Sequence, residues 1–173
     1  MKLELKYTVF PTPLGPMYAA ASETGVCRVT HGVTAEVFET DMLNRFEANL
    51  DFVPDDKLLS SVEDQITRYF AGGLKLFDVP LDFLRGTPFT RQVWRAQQAI
   101  PYGQSRSYKW VAEQERRPRA ARAVGQANSH NDIGILVPCH RVIASDGRLG
   151  GYGGRPHIKA FLLDLEGAAY NRG

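Results

Sequence analysis

An uninterrupted apolar run, Ile133 to Val137, leads into Pro138 and then Cys139. A short run bounded by a proline that cannot donate to a ladder predicts a buried strand ending at Pro138. A cysteine where a strand gives way to a turn is rigidly held, as a nucleophile must be. His140 and Arg141 follow it. Positive charge beside a thiol is expected to lower its pKa and raise the thiolate fraction. On these residues alone, a buried structural cysteine is the competing reading. Three features weigh against it: the adjacent His-Arg pair, a glycine-rich loop from Gly150 to Gly154, and two short helices just upstream.

The 173 residues, 43% of them apolar, suffice for one well-packed domain or two small ones. No apolar stretch is long enough to span a bilayer, and the alternating start Met1-Lys2-Leu3-Glu4 lacks a signal-peptide block. Cys27 and Cys139 are the only cysteines, so free thiols in a reducing, cytoplasmic setting are expected. The net charge of +2 conceals an asymmetry. Up to residue 82 there are seven Lys/Arg against thirteen Asp/Glu, a net of −6; beyond it, fourteen against six, a net of +8. A basic half suggests a polyanionic partner, although two solvated faces that balance each other would give the same count.

The first half reads as a small α/β scaffold. Strands are expected over Leu3–Val9, Met17–Ala21 and Val26–Thr30. A helix capped by Thr34 should run from Ala35 to about Leu50, burying Val37, Leu43, Phe46 and Leu50. A second should run from Leu58 to Phe70 and end at Gly72-Gly73. Phe77–Leu84 reads as another strand, and the domain boundary falls between Gly72 and Gly86, giving domains 1–80 and 86–173. Cys27 and His31 have the spacing of half a zinc site, but no second pair completes it. Cys27 is read as a small core residue.

In the second half, Thr90–Ala99 reads as a helix stopped by Pro101. Tyr108–Glu115 and Arg119–Ser129 read as two short helices joined by a tight turn, Arg116-Arg117-Pro118, with Pro118 pre-set for a first helical position. That spacing predicts a helix-turn-helix. Residues 91–122 hold eight Lys/Arg and two Asp/Glu, the density of a phosphate-contacting surface. Small residues in the second helix permit close approach to a narrow, shallow groove. Few side chains there would read base edges, so little sequence specificity is expected. An alanine-rich helix that merely packs on the core is the alternative.

Pro138-Cys139-His140-Arg141-Val142 resembles the reactive-cysteine motif of the O6-alkylguanine-DNA alkyltransferases, the methylated-DNA–protein-cysteine methyltransferases. The resemblance is good from Gly86 to Gly167 and loose before that. It implies a ribonuclease-H-like α/β N-terminal scaffold and a mostly α, winged-helix-like C-terminal domain with a helix-turn-helix. It also implies irreversible transfer of the alkyl group of O6-alkylguanine, and of O4-alkylthymine in some cases, to Cys139. The partner would be double-stranded DNA, gripped through the minor groove by a monomer, with cooperative binding left open. The cell's nucleoid, or the nucleus of a eukaryote, is the implied location.

The resemblance assigns roles residue by residue. Glu166 would orient His140, giving a chain from Glu166 through His140 and a water to Cys139, with Asn131 bracing the thiol. Arg119-Ala120-Ala121-Arg122-Ala123-Val124-Gly125 looks like the recognition helix, with Arg122 entering the base stack in place of a flipped nucleotide. Ala120, Ala121 and Gly125 would lie against DNA, and Thr90, Lys109, Arg119 and Ser145 would contact it as well. Tyr108 would donate to the base ring. The Gly153 amide would donate to O6, where relatives commonly carry serine, and the Cys139 and Val142 carbonyls would accept from the exocyclic amine. Tyr152, Gly153 and Gly154 would wall the base pocket. Some relatives hold a structural zinc through the first half, but this chain lacks those ligands, so neither metal nor organic cofactor is expected.

Three other functions fit parts of the sequence. A binder that flags alkylated DNA would carry another residue, commonly tryptophan, at position 139. A cysteine hydrolase would need a separate upstream base. A transcription regulator would need a dimer surface and base-reading side chains. His130 and His157 read as surface histidines.

Overall fold

The computed structural model describes residues 2–173, so Met1 of the alternating start lies outside the described residues. The chain divides into two compact units, one up to Leu84 and one from Arg85.

In the first unit, β1 (Leu3–Phe10), β2 (Met17–Ala21), β3 (Val26–His31) and β4 (Ala48–Phe52) form a sheet in the order β3-β2-β1-β4. Neighbours are antiparallel except β1 and β4, which run parallel with Leu5 opposite Leu50. All five residues of β2 are buried, so both faces of the sheet are covered. Tyr18 and Ala20 alternate onto the face packed by Phe38 and Met42 of α1 (Ala35–Phe46). Buried residues Leu59, Val62, Ile66 and Tyr69 line α2 (Lys57–Phe70), which packs on β1 and β2.

Two expectations fail here. The first helix does not reach Leu50: Glu47 takes a left-handed φ of 51°, its N–H closes on the Leu43 carbonyl, and the chain turns directly into β4. The inward face is Phe38 and Met42, while Val37 and Leu43 are exposed. The segment expected as a strand over 77–84 contributes only an isolated bridge between Val26 and Leu81. Cys27 is a core residue whose thiol donates to the Ala20 carbonyl at 3.4 Å.

The second unit packs α3 (Pro88–Gln98), α4 (Tyr108–Gln114) and α5 (Ala121–Ser129) around Val93, Ile100, Val111, Val124 and Val142. Thr87 and Ser107 cap α3 and α4, accepting from the Thr90 and Trp110 amides. The Trp94 indole donates to the Ala127 carbonyl at 2.9 Å and locks α3 to α5. Two-residue strands β5 (Arg106–Ser107) and β6 (Val142–Ile143) pair in parallel, fixing the segment after Cys139 to the start of α4. Helix α6 (Pro156–Glu166) ends at Gly167, whose φ of 70° closes the helix. Between α4 and α5, Arg116 takes a left-handed φ of 55° and the Arg117 amide reaches back to the Ala112 carbonyl. Helix α5 starts at Ala121 rather than Arg119, so Pro118 and Arg119 belong to the turn and Ala120 is the cap.

Candidate functional site

The run before Cys139 is not a strand. Ile135, a β-branched residue, sits at φ 71°, and the Leu136 amide closes on the Gly134 carbonyl at 2.9 Å. That is a γ-turn of the strained, positive-φ kind. Pro138 makes a second, relaxed γ-turn at φ −82° and ψ 61°, with the Cys139 amide on the Val137 carbonyl at 2.8 Å. Cys139 to Arg141 then form one 3-10 turn. The sequence could not separate this from a strand, because an unbroken apolar run has no period to read.

Asn131 holds the double turn together. Its Nδ2 donates to the Val137 carbonyl at 2.9 Å and to Cys139 Sγ at 3.3 Å, and its Oδ1 accepts from the Ile133 amide at 3.0 Å. The sulfur is 7% exposed with its residue and faces a cavity of about 470 Å³.

Behind Cys139 lies a fully enclosed charge cluster. His140 Nε2 is 2.8 Å from Glu166 Oε1. Arg141 donates to both oxygens of Glu166, at 2.9 and 3.0 Å, and to the Ile100 carbonyl at 2.7 Å. Burial alone would raise the Glu166 carboxyl, but bonds from His140 and Arg141, with the charge they carry, pull it down to about 2. Glu166 is therefore ionised. Burial dominates at His140 and lowers its pKa, with Glu166 pushing back and Arg141 and Lys159 adding to the fall. The ring is neutral near pH 7. An ionised Glu166 accepts, so Nε2 carries the proton and Nδ1 is a bare lone pair, buried with no partner among the described residues.

The expected role of Arg141 as a cation beside the sulfur fails, because its guanidinium is committed to Glu166 and Ile100. Burial pushes the Cys139 thiol up, partly offset by the Asn131 bond and by a different cation, Lys159. Lys159 escaped the sequence reading. It is fully buried, with Nζ 2.6 Å from the Val142 carbonyl and 3.4 Å from both the Tyr108 hydroxyl and the Gly151 carbonyl. Burial lowers its pKa to about 8, with the Cys139 charge acting in the other direction. A signal did exist: Lys159, Leu162, Leu163 and Glu166 fall on one face at helical spacing, so the buried stripe of α6 is polar at both ends.

The cavity brings together Tyr108, Lys109, Ala121, Arg122, Gly125, Cys139, Ser145, Tyr152 and Gly153. Gly151, from the glycine-rich loop, also lines it; Asn128, Ser129 and Ala144 complete the lining and were not anticipated. Thr90, Arg119, Ala120 and Gly154 stand outside it: the Thr90 hydroxyl bonds Thr87, and Ala120 packs against the helical core. The Val142 carbonyl already accepts from Lys159, and the Cys139 carbonyl from the Val142 amide. Only one lone pair on each is left for a base amine. Gly150 is required: at φ 72°, a Cβ would lie 2.8 Å from the Tyr108 hydroxyl.

Residues 88–168 match the family model described as 6-O-methylguanine DNA methyltransferase, DNA binding domain, and residues 5–83 match its ribonuclease-like domain. The chain belongs to the 6-O-methylguanine DNA methyltransferase family. A methylated-DNA–protein-cysteine methyltransferase of Mycobacterium tuberculosis is 43% identical over 162 residues, covering 94% of this chain and 92% of the relative. The constitutive enzyme of that name from Bacillus subtilis is 41% identical over 165 residues, covering 95% and 96%. The crystal structure of Mycobacterium tuberculosis OGT in complex with DNA aligns with a TM-score of 0.81 at 41% identity, covering 94% of this chain and 92% of that one. Among the described residues, no helix is long and apolar enough to cross a membrane.

Proposed function

We propose that this protein repairs DNA directly, moving the alkyl group of O6-alkylguanine, and where it fits that of O4-alkylthymine, irreversibly onto its own Cys139. One observation carries this reading. A buried cysteine that lines a cavity is followed by a buried, neutral His140 whose Nε2 is tied to Glu166. Membership of the family supports it independently.

The thiol of Cys139 gives its proton through a water to His140 Nδ1, and Glu166 stabilises the imidazolium that forms. The thiolate attacks the alkyl carbon in line. The S–C bond forms, the C–O6 bond breaks, and its electron pair stays on the guanine. Tyr108 donates a proton to the leaving ring, and the neighbouring Lys159 ammonium steadies the tyrosinate. The thioether cannot be hydrolysed, so each molecule acts once, and the residues themselves perform the reaction without a cofactor.

α4 and α5 act as a helix-turn-helix in a winged-helix-like domain. α5 enters the minor groove with Ala121 and Gly125 facing the sugar-phosphate walls and Arg122 filling the gap left by the flipped base. Thr90, Lys109, Arg119, Ala120 and Ser145 line the path of the backbone. Tyr152, Gly153 and Gly154 close over the base beside Val142. The protein binds damaged duplex as a monomer, with little sequence preference, wherever the cell keeps its DNA.

The test is the mass of the tryptic peptide Ala123–Arg141 after incubation with a duplex carrying one O6-methylguanine. The expected result is one methyl gained per molecule, absent in Cys139→Ala. Tight, lesion-selective binding without mass gain would instead indicate a damage-recognition protein.

A further inference from the structure

The face of α5 that lines the cavity is made of Ala121, Gly125 and Arg122 at its start and Asn128 and Ser129 at its end. Asn128 stands three residues before Asn131, whose amide touches the Cys139 sulfur. It therefore lies at the end of the helix nearest the reacting atom.

The Asn128 side chain is not free to turn. Its Oδ1 accepts from Nε2 of Gln97, a residue of α3 that is 0% exposed. The other polar atom of Gln97, its Oε1, is buried with no partner among the described residues. A half-satisfied glutamine inside a helical core is unfavourable as packing, and a leucine or methionine would fill the space more cheaply. The bond to Asn128 is the one polar contact the glutamine makes in exchange. With Oδ1 engaged by Gln97, the Asn128 amide turns its Nδ2 N–H donors to the cavity. The lining adds two cations, Lys109 and Arg122, and no carboxylate. This wall is built for hydrogen-bond acceptors.

Resting on the alkyl transfer proposed above, we propose that Asn128, positioned by Gln97, forms a subsite for oxygen-bearing O6 substituents. A hydroxyl on the second carbon of the adduct accepts from the Asn128 amide, so such adducts are favoured over hydrocarbons of the same size. A site that hydrogen-bonds a substrate hydroxyl discriminates against the analogue lacking it more strongly than an apolar pocket discriminates by size.

O6-(2-hydroxyethyl)guanine and O6-propylguanine are nearly isosteric and differ only in a terminal hydroxyl in place of a methyl. Single-turnover transfer rates from duplexes carrying each, with O6-methylguanine alongside, give the test. The ratio of hydroxyethyl to propyl transfer should fall about tenfold in Asn128→Leu, the worth of about one hydrogen bond. It should fall in the same direction in Gln97→Met, which does not line the cavity, and a merely structural role would slow both substrates equally. An unchanged ratio in Asn128→Leu overturns the subsite. Failure of the wild-type protein to transfer methyl would overturn the repair reading itself, and the subsite with it.

Discussion

The two units bury different chemistry. Among the described residues of the first, the buried side chains are aliphatic, aromatic or thiol, with Thr8 the polar exception. Its ion pairs, such as Lys6–Asp56 and Arg45–Asp41, keep a side open to solvent. The second buries Gln97, Asp132, His140, Arg141, Lys159 and Glu166. Taking an ion out of water costs several kcal/mol, and a buried pair is poor evidence of stability for its own sake. The contrast teaches that the first unit is built to hold its shape and the second to hold charges where a thiol can use them.

The comparison can be broken by substitution. Cys139→Ala should abolish transfer altogether, read as loss of the peptide mass gain. Glu166→Gln should slow transfer by about 10²- to 10⁴-fold in rapid-quench assays, the usual worth of an oriented general base. It should also cost about 3–5 kcal/mol in urea unfolding, because Arg141 is left buried without its counter-ion. The Glu166 contribution is complete above the ordinary carboxyl value of 4.5 and is lost as pH falls towards 2, so the variant should lose this acid-unfolding step. Phe38→Ala, in the core of the first unit, should cost a similar ~3–5 kcal/mol yet leave the rate per folded molecule within about twofold. If it slows the chemistry as Glu166→Gln does, the division of labour is wrong. Gly150→Ala should have the smallest effect in free energy, about 1.4 kcal/mol or tenfold in rate, from a Cβ driven against Tyr108 at a left-handed φ.

The same contrast decides what the sequence makes legible. Apolar periodicity located β1 to β3 and both helices of the first unit; it missed β4 because Glu47 breaks the helix through an unusual φ, chose the wrong inward face for α1, and took the 77–84 segment, which holds only an isolated bridge, for a strand. In the second unit, Cys139, His140 and Glu166 were legible through a motif and its family. Arg141 and Lys159 were not, because a charge's partner is a long-range fact: Arg141 meets Glu166 25 residues later, and Lys159 meets Val142 17 residues earlier. The γ-turn at Ile135 was invisible for a further reason. An isoleucine gives no local hint of a positive φ, and the Asn131 bonds, with the Val137 amide on the Ile133 carbonyl, hold the strain in place.

The most direct test of this account is the single-turnover rate of transfer to Cys139 as a function of pH, in the wild type and in Glu166→Gln. The wild-type rate should rise through a group below 6.5, where His140 sheds its proton, stay level at neutral pH, and fall near 8 as Lys159 loses its charge. Glu166→Gln should lower the plateau and move the acid limb further down. A rate that climbs steadily with thiol ionisation into the alkaline range, alike in both proteins, would mean that Cys139 titrates alone and that the buried charges behind it are only structural.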